Sequence, residues 1–263
     1  MADKSFGDIT EPNAGRVYDY ILGGHSNYEI DRQAAEYMLS LLPSTRKWTR
    51  MLRLFLQEAT NILADEGFDK FLDLGSGLPT ANHIHVNAPE AKVIYVDADP
   101  TTVTFGKQLL QEHPNATYIA EDITNIDAVL NSPVIEQMFG AERKVAIGLN
   151  AVLCFFSEEQ AKEIVQKLYD WAAPGSKLFA TFETKDPNLT TPQLEQFLDM
   201  FQQMGVTYNF TTLAEAQETM KPWQADERGY LPLYTWLDIE DQFSEKDYEE
   251  IDLQFYGAIL VKD

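Results

Sequence analysis

The chain contains a single cysteine, Cys154, so an intramolecular disulfide is impossible. It is short of positive charge. Twenty Lys and Arg face forty-two Asp and Glu, a formal net charge of −22. A surface of that sign lacks the clustered cations that neutralise phosphates, which argues against a nucleic-acid partner and equally against an anionic membrane surface. It also lacks any apolar run long enough to span a bilayer and any opening like a signal peptide, so the expectation is a cytoplasmic protein. Four histidines and one cysteine, with His83 and His85 two apart, offer no convincing ligand set, and no metal is expected. Internal repeats and low-complexity tracts are absent as well. What remains is 263 residues, 44% of them hydrophobic, enough for one α/β domain with a substantial core.

Another shortage falls inside the most informative segment. FLDLGSGLPT (residues 71–80) is an apolar run that ends at Asp73 and passes straight into Gly75 and Gly77. A buried strand leading to an acid and two glycines opens a nucleotide-binding βαβ unit, because glycine allows a sharp turn and close approach of a ligand to the main chain. The third glycine of a dinucleotide fingerprint is missing: Thr80 stands in its place, after Pro79, which has no N–H for a pyrophosphate. Asp73 is a poor neighbour for phosphate and a good acceptor for an ammonium group. S-adenosylmethionine carries an ammonium and no phosphate. An NAD-dependent oxidoreductase is therefore the weaker enzyme reading.

Two further strands extend the pattern. AKVIYVDADP (residues 91–100) ends in Asp97, twenty residues after Gly77, the spacing at which an acid accepts from a ribose diol. ATYIAED (residues 116–122) ends in Glu121 and Asp122, placed for an adenine amino group. Ala98 and Asp99 flank the adenine and Ile123 joins Asp122 at its edge. Asp99 followed by Pro100 also reads as a helix cap. Asn150 and Ala151, after the fourth strand, are expected near the ribose and methionine portion. Phe155 and Phe156 read as core more than as substrate wall.

Strands are expected near 69–74, 92–97, 116–120, 143–150, 176–183 and 253–261, and helices near 80–87, 100–113, 124–139, 157–172 and 190–204. That alternation means a parallel sheet covered on both faces. Residues 44–66 repeat apolar side chains at helical period, a packing helix. Residues 1–12 are polar and read as mobile. Residues 206–250 are aromatic and acidic, from Tyr208 to Phe243.

With these motifs the chain resembles the class I S-adenosyl methyltransferases, and in particular a bacterial family of actinobacterial type. The family opens with an Arg-Val-x-Asn/Asp-Tyr-x-Leu-Gly-Gly-x-x-Asn-Tyr/Phe-x-x-Asp pattern. Here it reads Arg16, Val17, Asp19, Tyr20, Leu22, Gly23, Gly24, Asn27, Tyr28 and Asp31. Leu78-Pro79-Thr80 and the run from Tyr95 to Pro100 also match. The resemblance fades after Lys185. It implies a Rossmann-like α/β fold with a mostly parallel seven-stranded sheet, an N-terminal lid with packing helices over 1–66, and a core over 67–263 with an acceptor-pocket insertion near 190–250. It implies S-adenosylmethionine as cofactor, S-adenosylhomocysteine as product, and a small-molecule acceptor methylated on oxygen or nitrogen. The aromatic C-terminal third suggests an aromatic or specialised metabolite. In the lid, Arg16, Tyr20, Gly24 and Tyr28 are expected at the cofactor, with Tyr18, Tyr20 and Tyr28 as aromatic faces for a sulfonium. His25 is the candidate base. A cofactor-binding sensor without turnover is the competing reading from another class.

Overall fold

The computed structural model describes residues 11–80, 82–185, 191–203, 205–242 and 253–263. The expected arm at the N-terminus falls largely outside these residues, as does Phe243. Three helices come first: α1 (Ala14–Ile21), α2 (Glu29–Leu41) and α3 (Thr45–Asp65). Strands and helices then alternate through β1 (Lys70–Leu74), α4 (Ile84–Asn87), β2 (Lys92–Asp97), α5 (Pro100–Leu109), β3 (Ala116–Ala120), α6 (Ile126–Leu130), α7 (Pro133–Phe139), β4 (Ala146–Leu149), α8 (Glu158–Trp171) and β5 (Lys177–Lys185). The last part holds α9 (Pro192–Gln203), α10 (Leu213–Thr219), the two-residue strands β6 (Gln224–Ala225) and β7 (Leu231–Pro232), α11 (Leu233–Trp236) and β8 (Leu253–Val261).

The sheet runs β3-β2-β1-β4-β5-β8-β6, with β7 also paired to β8. β1 to β5 are parallel, and β8 lies antiparallel to β5 from Lys177↔Val261 to Lys185↔Leu253. The expected seven-stranded sheet is thus six full strands with two short pieces on β8. Successive strand residues point to opposite faces. Phe71, Val93, Tyr95 and Phe179 accordingly pack with α1–α3 and α9, while Leu72, Ile94, Ile147 and Leu178 pack with α6, α8 and α10. Both faces are covered, which is why these strands are apolar throughout.

Local chemistry sets the element ends. Asp99 caps α5 by accepting from Thr101 N (2.9 Å), and Ser157 with Gln160 closes a capping box on α8. Thr191 Oγ1 accepts from Leu194 N at the start of α9. Two expected helices are shorter or broken. Residues 80–87 yield only the single turn of α4, because His83 takes its cap position in an extended conformation. Residues 124–139 split where Ser132 and Pro133 begin a new helix, since proline cannot donate to the preceding turn. On α3 the apolar stripe of Trp48, Met51, Leu52, Phe55, Leu56, Ala59 and Leu63 is buried as its period predicts. Arg53 is buried on the same helix, against its residue type.

Gly106 of α5 lies flat against the Tyr118 ring, and a Cβ there would overlap it. Alanine usually stabilises a helix interior over glycine by about 0.5–1 kcal/mol. Overlap with a buried ring costs about 1–3 kcal/mol, so packing decides the sign. Gly106→Ala should therefore lower the stability read by urea denaturation; an unchanged or raised midpoint would show that the ring moves freely.

Candidate active site

A cavity of about 510 Å³ opens at the carboxyl ends of β1, β2 and β4. That is the position where open α/β sheets bind ligands, and its size lies within the roughly 300–1,000 Å³ of small-molecule and cofactor sites. Its floor is the turn after β1. Gly75 and Gly77 have φ of +67° and +61°, a region side chains resist, and Val152 sits where a Cβ on Gly75 would be. The turn is pinned from three directions. Gly77 N donates to Asp97 Oδ2 (2.8 Å), Ser76 N donates to Val96 O (3.0 Å), and Tyr118 Oη donates to Gly77 O (2.6 Å). His83 adds a fourth tie. Its Nδ1 accepts from Ile84 N (3.0 Å), so the proton sits on Nε2, which faces Ser76 O at 3.3 Å. Burial holds this imidazole well below its ordinary pKa, so it is neutral.

Ten residues singled out in the sequence line this one cavity: Asp73, Gly75, Gly77, Asp97, Ala98, Asp99, Asp122, Ile123, Asn150 and Ala151. Asp73 is 2% exposed and its Oδ2 has no hydrogen-bond partner, with His83 Nε2 at 3.7 Å. Burial pushes its carboxyl up to about 7, against the pull of Arg53. Asp97 accepts one backbone N–H on each oxygen, from Gly77 and from Asp99 (2.9 Å), so it braces the glycine turn besides facing the cavity. Asp122 Oδ1 accepts from Thr124 N and Oγ1, both at 2.8 Å, and so also caps the turn after β3. Ala151 has a φ of +54°, and its N–H is taken by Thr181 Oγ1 (2.7 Å). Asn150 beside it keeps Oδ1 unpartnered.

The N-terminal signature divides differently. Asn13, Ala14, Gly15, Tyr18 and Asp19 line the cavity, and Gly15 packs close to Gly77 and Thr102. Arg16, Tyr20, Gly24 and Tyr28, expected at the cofactor, and His25, the candidate base, do not line it. Arg16 is consumed as a strut: Nε meets Asp31 at 2.7 Å, Nη1 lies 3.8 Å from Asp99, and its guanidinium covers the Tyr28 ring. Tyr20 donates to Glu36 on α2 (2.7 Å). Gly24 is a glycine because Asp19 presses on it. Asp19 Oδ2 collects Ser26 N and Asn27 Nδ2, folding the loop back on α1 and leaving His25 exposed. Tyr18 is the tyrosine of the three that reaches the cavity.

Four wall residues escaped the sequence reading as ligand groups: Asp19, Arg53, His83 and Thr80. Arg53 could not be found by periodicity, since it falls outside the apolar stripe of its helix and yet is buried. Its Nε and Nη1 have no hydrogen-bond partner, and its guanidinium lies over the Tyr18 ring at 5.6 Å. Asp19 Oδ1 is likewise unpartnered. Phe155 and Phe156 pack against the core, as expected, and also line the wall. Among the described residues no cluster suited to a metal ion occurs.

A parallel sheet closed by one antiparallel strand, with an acid–glycine turn and a second acid at the carboxyl ends of its strands, matches the class I methyltransferase fold. The chain belongs to the S-adenosyl methyltransferase family, whose model matches residues 2–263. It is an S-adenosylmethionine-dependent methyltransferase with that compound as its methyl donor. A solved protein from Thermobifida fusca YX is 31% identical over 97% of each chain, with a TM-score of 0.84. A DUF574 family protein from Streptomyces avermitilis MA-4680 is 27% identical over 96% of this chain and 98% of its own, with a TM-score of 0.82. Geranyl diphosphate C-methyltransferase from Streptomyces coelicolor A3(2), solved with S-adenosyl-L-homocysteine, is similar in fold alone. It is 11% identical over 78% of this chain and 79% of its own, at a TM-score of 0.54. No curated protein matches the sequence.

Asp73 is held near 7 when folded and titrates near 3.9 when unfolded. A carboxyl raised in this way favours folding at low pH and loses that contribution as pH rises through about 7. Without ligand, Asp73→Asn should gain stability relative to the parent between about pH 5 and pH 8 in chemical denaturation. A constant difference across that range would place the Asp73 pKa elsewhere.

Proposed function

We propose that this cavity is the donor site, with Arg53 holding the carboxylate of the amino-acid end of S-adenosylmethionine and Asp73 and Asp19 its ammonium. Asp97 takes the ribose diol. Asp122, Ile123 and Ala98 enclose the adenine. The observation that carries this reading is the set of buried, unpartnered polar atoms on Arg53, Asp73, Asp19 and Asn150, all on one cavity wall. A buried charge without partners is expensive, and a zwitterion with an adjoining sugar satisfies cation and anions together.

When bound, S-adenosylmethionine supplies a methyl group already activated by its sulfonium. The chain's residues then have to orient, enclose and exclude water. α1 supplies a cover through Ala14, Gly15 and Tyr18, close above Gly77. Tyr18 contributes an aromatic face, worth about 0.5–2 kcal/mol toward a cation. The acceptor is a small molecule methylated on oxygen or nitrogen. The net charge of −22 supports neutral or cationic acceptors over nucleic acid. No helix among the described residues is long and apolar enough to cross a membrane, which is compatible with action in the cytoplasm. Pro79 and Thr80 disfavour a pyrophosphate ligand such as NAD.

Calorimetry tests this reading. S-adenosylhomocysteine should bind and NADH should not. Asp97→Ala should weaken binding by about 2–4 kcal/mol, because it removes a charged acceptor from two hydroxyls and loosens Gly77. Asp99→Ala should cost much less, since Asp99 mainly caps α5. Heat with NADH alone, or equal losses in the two variants, would contradict the assignment.

A further inference from the structure

Beside the large cavity lies a second chamber of about 110 Å³. The two share the walls Ala14, Tyr18, Ala151 and Phe155, so the chamber abuts the proposed donor site. Its sides are aromatic. Trp48 stacks on Phe255 with ring centres 4.7 Å apart, and Phe197 packs on Phe201 at 5.0 Å. One ionisable carboxyl faces this apolar space: Glu183 of β5, 3% exposed. Among the described residues lining the chamber there is no Lys, Arg or His to pair with it. The thiol of Cys154 donates to its carboxyl, and the Tyr208 ring borders it from the segment after α9.

A lone buried acid in an aromatic box is costly as packing. It is well suited to meet a donor group on a ligand. Burial pushes its carboxyl up to about 7, which places the group between its two protonation states near neutral pH, the range in which a general base works well. The chamber is smaller than the roughly 150 Å³ cavity that encloses benzene, so its guest is a single small ring or short branched chain that also extends into the adjoining cavity.

We propose that this chamber is the acceptor site, that it takes the hydroxyl-bearing ring or short chain of an apolar acceptor, and that the Glu183 carboxylate receives the hydroxyl proton. The inference rests on the larger cavity being the donor site. In balanced form, the acceptor oxygen bonds to the methyl carbon as the carbon–sulfur bond breaks. The electron pair of that bond stays on sulfur, which becomes a neutral thioether, and the acceptor proton passes to Glu183 and then to solvent. The titratable groups facing Glu183 are Tyr18 from α1, Cys154 from the turn after β4 and Tyr208, with Glu158 and Glu215 across the neighbouring surface pocket. Burial holds the Tyr18, Tyr208 and Cys154 groups above their ordinary pKa values, so Glu183 is the member of the chamber that ionises near neutrality.

The test uses the full chain saturated with S-adenosylhomocysteine and two fluorinated probes followed by fluorine NMR, 4-fluorophenol and fluorobenzene. The phenol should bind saturably and about tenfold or more tighter than fluorobenzene, the effect of one hydrogen bond to a charged group. Its affinity should rise from about pH 6 to about pH 8 as Glu183 ionises, and Glu183→Gln should remove that rise. No saturable binding, equal affinity of the two probes, or an unchanged pH profile in Glu183→Gln would overturn the proposal. The comparison of the two probes on the parent protein decides the matter even where the variant fails to fold. Failure of S-adenosylhomocysteine itself to bind would bring down the donor reading, and the acceptor site with it.

Discussion

The turn through Gly75, Ser76 and Gly77 is fixed by hydrogen bonds from separate elements, and the geometry of the site follows from that. Asp97 at the end of β2 holds the Gly77 N–H, and Tyr118 from β3 holds its carbonyl. Remove either and the floor of the cavity is free to move. Because Asp97 is both brace and wall, its carboxylate is already oriented before any ligand arrives. Preorganisation of this kind lowers the cost of binding. The first turn of α1 lies over the same floor, with Gly15 within van der Waals reach of Gly77 and Thr102.

Around that rigid floor the molecule tolerates an unusual concentration of buried charge. Arg53, Asp73 and Asp19 line one cavity with unpartnered atoms, while most other charged side chains lie at the surface or in ion pairs. Burial raises the carboxyl pKa of Asp73 to about 7 and keeps His83 neutral, both signs of a site short of water. Arg16 illustrates the alternative. It is also buried, but Asp31 and Asp99 satisfy it, so its charge serves to join α1, α2 and α5.

The strands and the cavity-lining acids Asp73, Asp97 and Asp122 were legible in the sequence because their signals are local. An apolar run that stops at an acid and glycine fixes strand, turn and wall within ten residues, and Asp97 follows at a set spacing. The N-terminal signature was legible as a motif and misleading as a contact list. Arg16, Tyr20, Gly24 and Tyr28 serve the fold of the α1–α2 hairpin, His25 is exposed, and only tertiary packing reveals that Tyr18 and Asp19 face inward. Arg53 shows the opposite failure. It lies outside the apolar stripe of its helix, and nothing in a helical period says that it enters a buried cavity. The break at Ser132 and Pro133 was readable from the proline alone, yet the apolar period on either side suggested one continuous helix.

The role that suits Arg53 and Asp73, whose unpartnered polar atoms line one cavity, is to receive an amino-acid zwitterion. It is tested most directly by calorimetry comparing S-adenosylhomocysteine with 5′-methylthioadenosine, which lacks that end, on the parent protein and on Arg53→Gln. The parent should strongly prefer S-adenosylhomocysteine, and that preference should fall by about 2–5 kcal/mol in the variant, with 5′-methylthioadenosine affected little. A preference that survives Arg53→Gln intact, or an equal loss for both compounds, would contradict it.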